Sequence, residues 1–488
     1  MEKKILLVEP AYRTKYPPLG LMKISTYHKM KGDEVKFVKG CNKDVQYQYW
    51  DRIYIATLFT WTWQETVRTI QFYRNTLFNL AGQCYVGGIL ASLMPDELFN
   101  ATGIIPVVGL LDDPNKINQD DEIIIDKLPP DYTIIEQVEN NGFNYNYKDS
   151  YIGYTTRGCV WKCEFCAVRT FEPKFIPYVD IKKWILEVKN TYGEKQNLLL
   201  MDNNVLASKK FHEIIDDIKS LGFVKGAKFG KTGKKRIVDF NQGLDAQFLD
   251  EEKMKRFAEI PIEPMRIAFD NINDKDVYIK AVRLAHKYGQ KDLSNYILYN
   301  FKDTPDDFYE RLRLNIDLNE EFAKDNSMTK TTIYSFPMRY IPLNAKTRNI
   351  DTGNLHWNKK YLRGVQAILN VTKGSVMHGS EFFYQAFGEN PKEFKKILLM
   401  PDQFIMNRVK TNWRKIDDKE KRLMPYVRNW KDDSENLEEY EKISLIDILK
   451  HNDFQLIRES YKNNTSKIKK KMLKYHLEAD DIVHKYKK

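Results

Sequence analysis

A chain of 488 residues has room for about three domains and at least two separate cores, which excludes a single small module. With 42% hydrophobic, 30% charged and 13% aromatic residues it is neither a disordered chain, a collagen-like repeat nor a disulfide-dense scaffold. The formal charge of +11 admits an anionic partner such as RNA, DNA or a membrane surface, so where that charge sits along the chain matters.

No run approaches the ~18 consecutive apolar residues of a membrane span. Met1–Pro10 (MEKKILLVEP) has too short an apolar core and no small-residue cleavage site for a signal peptide. A cytoplasmic location with no membrane partner is therefore expected.

The expected fold class is α/β, with three parts. Over residues 1–137, Lys4–Val8, Glu34–Val38, Ile53–Leu58, Tyr85–Val86 and Ile105–Val108 read as buried strands, with Leu21–Lys31 and Trp63–Leu80 as helices between them. This is the pattern of a doubly wound, Rossmann-like parallel sheet. The Asn- and Gly-rich stretch Val138–Tyr147, after the Pro129-Pro130 break, reads as part of a linker over 138–150.

Over 151–343, strands are expected at Tyr151–Thr156, Asn197–Met201, Ile237–Asn241, Met265–Phe269, Asn295–Tyr299 and Thr331–Phe336. Helices are expected at Ile181–Thr191, Lys209–Leu221, Glu251–Ala258, Lys275–Tyr288 and Pro305–Leu318, the last with Thr304 as N-cap. Six such units suggest a partial (β/α)6 TIM-type barrel. Residues 344–488 read as a small, mainly helical domain with a basic tail.

The chemistry concentrates in Gly158-Cys159-Val160-Trp161-Lys162-Cys163-Glu164-Phe165-Cys166, which puts three of the five cysteines on one loop after a strand. Zinc favours four closed ligands, and Cys41 and Cys84 lie in the first domain without CxxC spacing. Three cysteines suit a 4Fe-4S cluster better, because one iron is then left to coordinate a substrate or cofactor.

The C-x3-C-x2-C pattern, with an aromatic before the third Cys, resembles the signature of the radical S-adenosylmethionine (SAM) superfamily. That resemblance implies that Cys159, Cys163 and Cys166 ligate a 4Fe-4S cluster whose open iron chelates SAM, and that Phe165 packs by the adenine. It also implies an electron donor such as flavodoxin or ferredoxin. Asp202 and Asn203 follow the second barrel strand, where the family places a polar loop for the SAM amino group, although the common Gly-Gly-Glu is absent. Asn241 and Gln242 after the third strand and Asp270 after the fourth lie at the same expected rim; turn chemistry and helix capping are the alternative roles for them.

Pro17-Pro18-Leu19-Gly20-Leu21, Leu58-Phe59-Thr60-Trp61 and Gly87-Gly88-Ile89-Leu90-Ala91 resemble the cobalamin-binding-type domain that precedes many radical SAM cores. The resemblance implies Pro18, Leu19, Gly20, Thr60, Gly87 and Gly88 around a corrin, with the glycines letting backbone approach a nucleotide tail. The Asp-x-His-x-x-Gly sequence that supplies a lower axial histidine is missing, and His28 falls inside the first helix, so the fold with the cofactor and the fold without it both remain open. With cobalamin, the expected reaction is methyl transfer to an unreactive carbon. Without it, the alternative is another radical transformation, of a nucleic acid or peptide; a non-enzymatic iron-sulfur or cobalamin-binding regulator is the third reading.

His356, His378, Cys41 and Cys84 have no spaced partner, and no phosphate loop, HExxH or Ser-His-Asp order is present. The charge resolves into two patches of +6 each, Lys225–Arg236 and Lys462–Lys488, and the remainder sums to −1. The first joins a helix to a strand on the barrel face away from the expected site and the second reads as a partly disordered tail, so a nucleic-acid partner is weakly supported.

Overall fold

The computed structural model describes residues 2–74, 83–118, 121–139, 142–230, 233–325, 330–376, 378–410 and 424–485. The chain divides into two compact units: Met1–Arg266 with Ile341–Ile350, and Ile267–Tyr340 with Asp351–Lys488.

The first unit begins with a four-stranded parallel sheet of β1 (Lys4–Glu9), β2 (Glu34–Lys39), β3 (Arg52–Thr57) and β4 (Cys84–Gly88) in the order β2-β1-β3-β4. The apolar run of β1 has Ile5, Leu6, Leu7 and Val8 at 0% exposure, as a strand covered on both faces requires. Helices Leu19–Met30 and Trp63–Arg74 lie between strands; residues 75–80 of the expected second helix fall outside the described residues. The order reverses between β1 and β3, so the loops leaving those two carboxyl ends flank the crevice of an open α/β sheet.

One expectation for this region is corrected. Ile105–Val108 is not a buried strand: only a single bridge joins Val107 to Gly87, and Ile105 is 80% exposed. Pro106 has no N–H to extend a ladder. Within the stretch read as a linker, Tyr145 is buried with its hydroxyl on Glu9 and Tyr147 stacks on Tyr16 at 4.7 Å; residues 140 and 141 lie outside the described residues.

A second parallel sheet follows in the same unit, β5 (Ser150–Gly153), β6 (Asn197–Leu200) and β9 (Val238–Phe240), with a two-residue-per-strand hairpin, β7 (Lys228–Phe229) and β8 (Lys234–Lys235), before β9. Helices Ile181–Tyr192, Phe211–Ser220 and Glu251–Phe257 alternate with these strands, and β10 is Met265–Arg266. Ile181, Ile185 and Val188 make the buried stripe of the first of these helices, whose N-cap Asp180 accepts from the Lys182 N–H.

In the second unit β11 (Asp292–Tyr299) and β12 (Thr332–Arg339) pair in parallel over eight residues. Helix Lys275–Lys287 precedes β11, and helix Pro305–Lys324 between β11 and β12 starts with a Thr304–Asp307 capping box. The α/β class and the succession of βα units match the sequence reading.

Beyond Asp351 the described elements are all helical and pack Phe308, Phe383, Phe394 and Trp430 into one core. Where a partly disordered tail is expected, Lys467–Lys485 is a helix that buries Met472 and Leu473, with Lys471 paired to Asp433 at 2.8 Å; residues 486–488 lie outside the described residues. Among the described residues no helix is long and apolar enough to cross a membrane.

Candidate functional site

The cysteine loop leaves the carboxyl end of β5. Its entry is fixed by Asp202, which follows β6 and is 1% exposed. One carboxylate oxygen of Asp202 accepts from the Thr155 N–H (3.0 Å) and hydroxyl (2.6 Å) and from the Thr156 N–H (2.5 Å) and hydroxyl (2.7 Å). Burial pushes the Asp202 carboxyl pKa up, even against these four donors.

Gly158, next along, adopts φ +68°, and a Cβ there would lie 2.2 Å from the Lys174 carbonyl oxygen. The loop must therefore turn through glycine at this position. The Gly158 N–H donates to Glu172 at 2.7 Å, and Arg157 pairs with the other Glu172 oxygen at 2.8 Å.

Arg157 also reaches Asp126 at 3.5 Å and lies 3.9 Å over the Tyr154 ring. Lys23, from helix Leu19–Met30, pairs with the same Asp126 at 3.2 Å and donates to the Tyr154 hydroxyl at 2.5 Å. Burial lowers the Lys23 pKa to about 8, partly countered by Asp126. For Asp126 burial acts upward, but Lys23 and Arg157 prevail and hold the carboxyl below its ordinary value. A buried chain of two cations, two anions and a tyrosine thus ties the first sheet's helix to the base of the cysteine loop.

The tip is open. Cys159, Cys163 and Cys166 are all part-exposed and none is in a disulfide, while Trp161 is 43% exposed. The Cys166 N–H donates to the Cys163 carbonyl at 3.1 Å, curling the second half of the loop. Cys159 Sγ accepts from the Trp161 N–H (3.4 Å) and from the Asn204 amide (3.7 Å). Among the described residues no three His, Cys, Asp or Glu side chains are closed into a metal-holding group, so the fit to a cluster rests on the donor set: three accessible thiols on one loop.

The other residues singled out in the sequence fall as follows. Phe165 is half-buried within the loop. Asn203 donates to Glu172 at 2.9 Å. Asn241 is buried and donates to the Tyr16 hydroxyl at 3.0 Å, while its neighbour Gln242 is exposed. Asp270 lies in the second unit, where burial, opposed by Arg311, pushes its pKa up to about 6.

In the first sheet Pro18 caps the helix that Leu19 and Gly20 begin, and a Cβ on Gly20 would meet nothing within 4 Å. Thr60 is buried after β3. Gly87 lies against the Val107 carbonyl, and Gly88, at φ +114°, would put a Cβ 2.2 Å from the Thr57 carbonyl oxygen, so β3 packing alone demands this glycine. His28 is 2% exposed and bonded to Asp33 (2.7 Å) and Tyr54 (2.9 Å), which leaves neither ring nitrogen for a ligand.

Sequence reading passed over Lys23, Asp126, Arg157 and Glu172, since partners such as Lys23 and Tyr154 are 131 positions apart and leave no spacing signal. The only available cue was the charge of Arg157 directly before Gly158.

Residues 154–314 match the Radical SAM superfamily. The chain contains a radical SAM domain. Domains of this superfamily employ SAM and a 4Fe-4S cluster, which marks an enzyme, and the matched span runs from the end of β5 into helix Pro305–Lys324. No curated protein matches the chain.

Among solved structures, the radical S-adenosylmethionine methyltransferase TsrM from Kitasatospora setae, with cobalamin and a 4Fe-4S cluster bound, is similar at 15% identity and a TM-score of 0.47, covering 70% of this chain and 77% of that one. The same enzyme with tryptophan substrate and a SAM analog aligns at 14% identity and a TM-score of 0.47, covering 70% and 75%. Streptococcus suis SuiB bound to precursor peptide SuiA gives 12% identity and a TM-score of 0.32 over 50% and 51%.

Proposed function

We propose that the radical SAM domain holds a 4Fe-4S cluster on Cys159, Cys163 and Cys166 and cleaves SAM reductively, and that the first sheet carries cobalamin for methyl transfer to an unreactive carbon. The observation that carries the reading is the loop itself: an open tip bearing three thiols on a base locked by buried side chains at the carboxyl end of a strand. When bound, the cluster supplies the single electron that splits SAM into methionine and a 5′-deoxyadenosyl radical.

The chain's own residues do the positioning. Asp202 fixes the strand end, while Glu172 clamps Gly158 and orients Arg157. Phe165, Asn203, Asn241 and Gln242 are the groups proposed to receive SAM. For cobalamin, Pro18, with Leu19 and Gly20 in the first turn of the helix after β1, and Thr60 after β3 follow the two strands at the sheet-order reversal, and the open space at Gly20 supports close approach of a ligand there. The locked state of His28 means that this domain offers the corrin no histidine as lower ligand.

Anaerobic reconstitution with iron and sulfide, followed by SAM and a reductant, tests the proposal. It should yield 5′-deoxyadenosine, together with S-adenosylhomocysteine once cobalamin is supplied, and Cys163→Ala should abolish both. A fully assembled cluster that forms neither product refutes the SAM chemistry. A protein expressed with cobalamin that shows no corrin absorbance once its cluster is removed refutes the methyl-transfer part alone.

A further inference from the structure

Asn204 is 2% exposed, yet its side chain is pointed at a cysteine sulfur. The amide nitrogen lies 2.9 Å from Asp245 Oδ2 and 3.7 Å from Cys159 Sγ. A carboxylate can only accept, so Asp245 dictates that the nitrogen, not the oxygen, faces this side, and an NH2 group has one hydrogen for each neighbour. Asp245 Oδ2 also accepts from the Trp161 indole N–H at 2.6 Å. Trp161 in turn donates its backbone N–H to the same sulfur at 3.4 Å. One carboxylate, 84 positions from Trp161 and 41 from Asn204, thus anchors both groups that donate to Cys159.

We propose that Asn204, held by Asp245, is a positioning residue that sets the reduction potential of the cluster through its N–H···S bond to Cys159. The inference rests on the reading of Cys159 as a cluster ligand. Hydrogen bonds to ligand sulfur are among the features that set iron-sulfur potentials, because each stabilises the more negative, reduced state over the oxidised one. Asn204 has the burial to keep water from substituting for it, and Asp245 removes the rotational freedom that would blunt the bond. Trp161 supplies a second donor whose position depends on the same anchor.

The test is an EPR-monitored redox titration of the reconstituted wild type and of Asn204→Leu, which is close in size and cannot donate. At a fixed potential the ratio of reduced to oxidised cluster should fall about tenfold, equivalent to a midpoint about 59 mV lower for one electron. Iron and sulfide content equal to wild type confirms that the loop still assembles, and Asn204→Ala, which adds no bulk, repeats the measurement should leucine impair folding. Unchanged midpoints in variants with full clusters overturn the assignment to Asn204 while leaving SAM cleavage intact. A wild-type chain that holds no cluster overturns this inference and the proposed chemistry together.

Discussion

Replacing Asp202 by alanine should destabilise the first unit by about 2–6 kcal/mol, the cost of two buried N–H groups left without acceptors at about 1–3 kcal/mol each. Thr155 and Thr156 supply those N–H groups, at 3.0 and 2.5 Å; their hydroxyls can rotate towards other acceptors and so contribute less. Asp202→Asn should behave differently. The amide oxygen can still take all four donors that now converge on Oδ1, and only the second contact of the Thr155 N–H, at 3.1 Å to Oδ2, becomes a donor facing a donor. Burial already disfavours the charge on Asp202, so a neutral amide recovers part of the desolvation cost and the net loss should be about 1–2 kcal/mol.

Urea unfolding followed by two probes measures the stabilities, and calorimetric titration of SAM into the reconstituted variants measures affinity. If Asp202 is an anchor, Asp202→Asn loses stability and SAM affinity together and modestly. An Asp202→Asn protein that unfolds like wild type but binds SAM more than about tenfold weaker, a loss of about 1.4 kcal/mol, would show that the carboxylate contacts the cofactor, and the anchoring argument would fail.

Gly158→Ala should abolish cluster loading in otherwise folded protein, read as iron content, because the new Cβ at 2.2 Å from the Lys174 carbonyl oxygen and φ of +68° both oppose the turn. Arg311→Met should cost the second unit about 3–5 kcal/mol in denaturant unfolding, since Arg311 is 0% exposed and holds the Asp303 carboxylate at 2.9 Å and the Phe269 and Asp270 carbonyls at 3.1 and 3.0 Å. His28 is held at a pKa of about 4 by burial, opposed by Asp33, against 6.5 unfolded. Between those values the unfolded chain takes up a proton that the folded chain refuses, so stability should fall by about 3 kcal/mol as pH drops from 6.5 towards 4. In His28→Gln that slope should flatten, and an unchanged slope would assign the acid sensitivity elsewhere.

What could be read from the sequence was whatever is decided locally. The helices starting at Ile181, Glu251 and Pro305 announce themselves by apolar residues at helical spacing and the last also by Thr304, and in the structure the side chains of Asp180, Asp250 and Thr304 cap their first turns. The three cysteines were legible for the same reason. Ile105–Val108 misled because an apolar tetrapeptide reads as a strand whether or not a neighbour is there to pair with it, and here only Val107 finds one. The Gly87-Gly88 pair reads as room for a ligand, but Gly88 is required by the Thr57 carbonyl, a contact set by the pairing of β3 with β4. The lysine-rich end reads as a partly disordered tail because nine lysines stand against three acidic residues over Lys462–Lys488, yet its helix buries Met472, Leu473 and Ala479.

The residues that fix the cysteine loop share one role, which the sequence did not show. A loop that must leave its thiols accessible cannot bury its own tip, so its shape has to be imposed from the base. Lys23 and Asp126, Glu172, Asp202, and Asn204 with Asp245 reach that loop from five separate stretches of chain, and together they secure four points: Tyr154 and Arg157, Gly158, Thr155 and Thr156, and Cys159 with Trp161. Several of these groups are charged and buried, and a charge of that kind is tolerated only while its partner stays in place. Loss of one partner therefore leaves an unpaired charge as well as a missing bond. The base of the loop should accordingly respond to mutation as a unit, with Lys23→Met and Glu172→Gln non-additive in a double-mutant cycle although they lie on elements far apart in sequence.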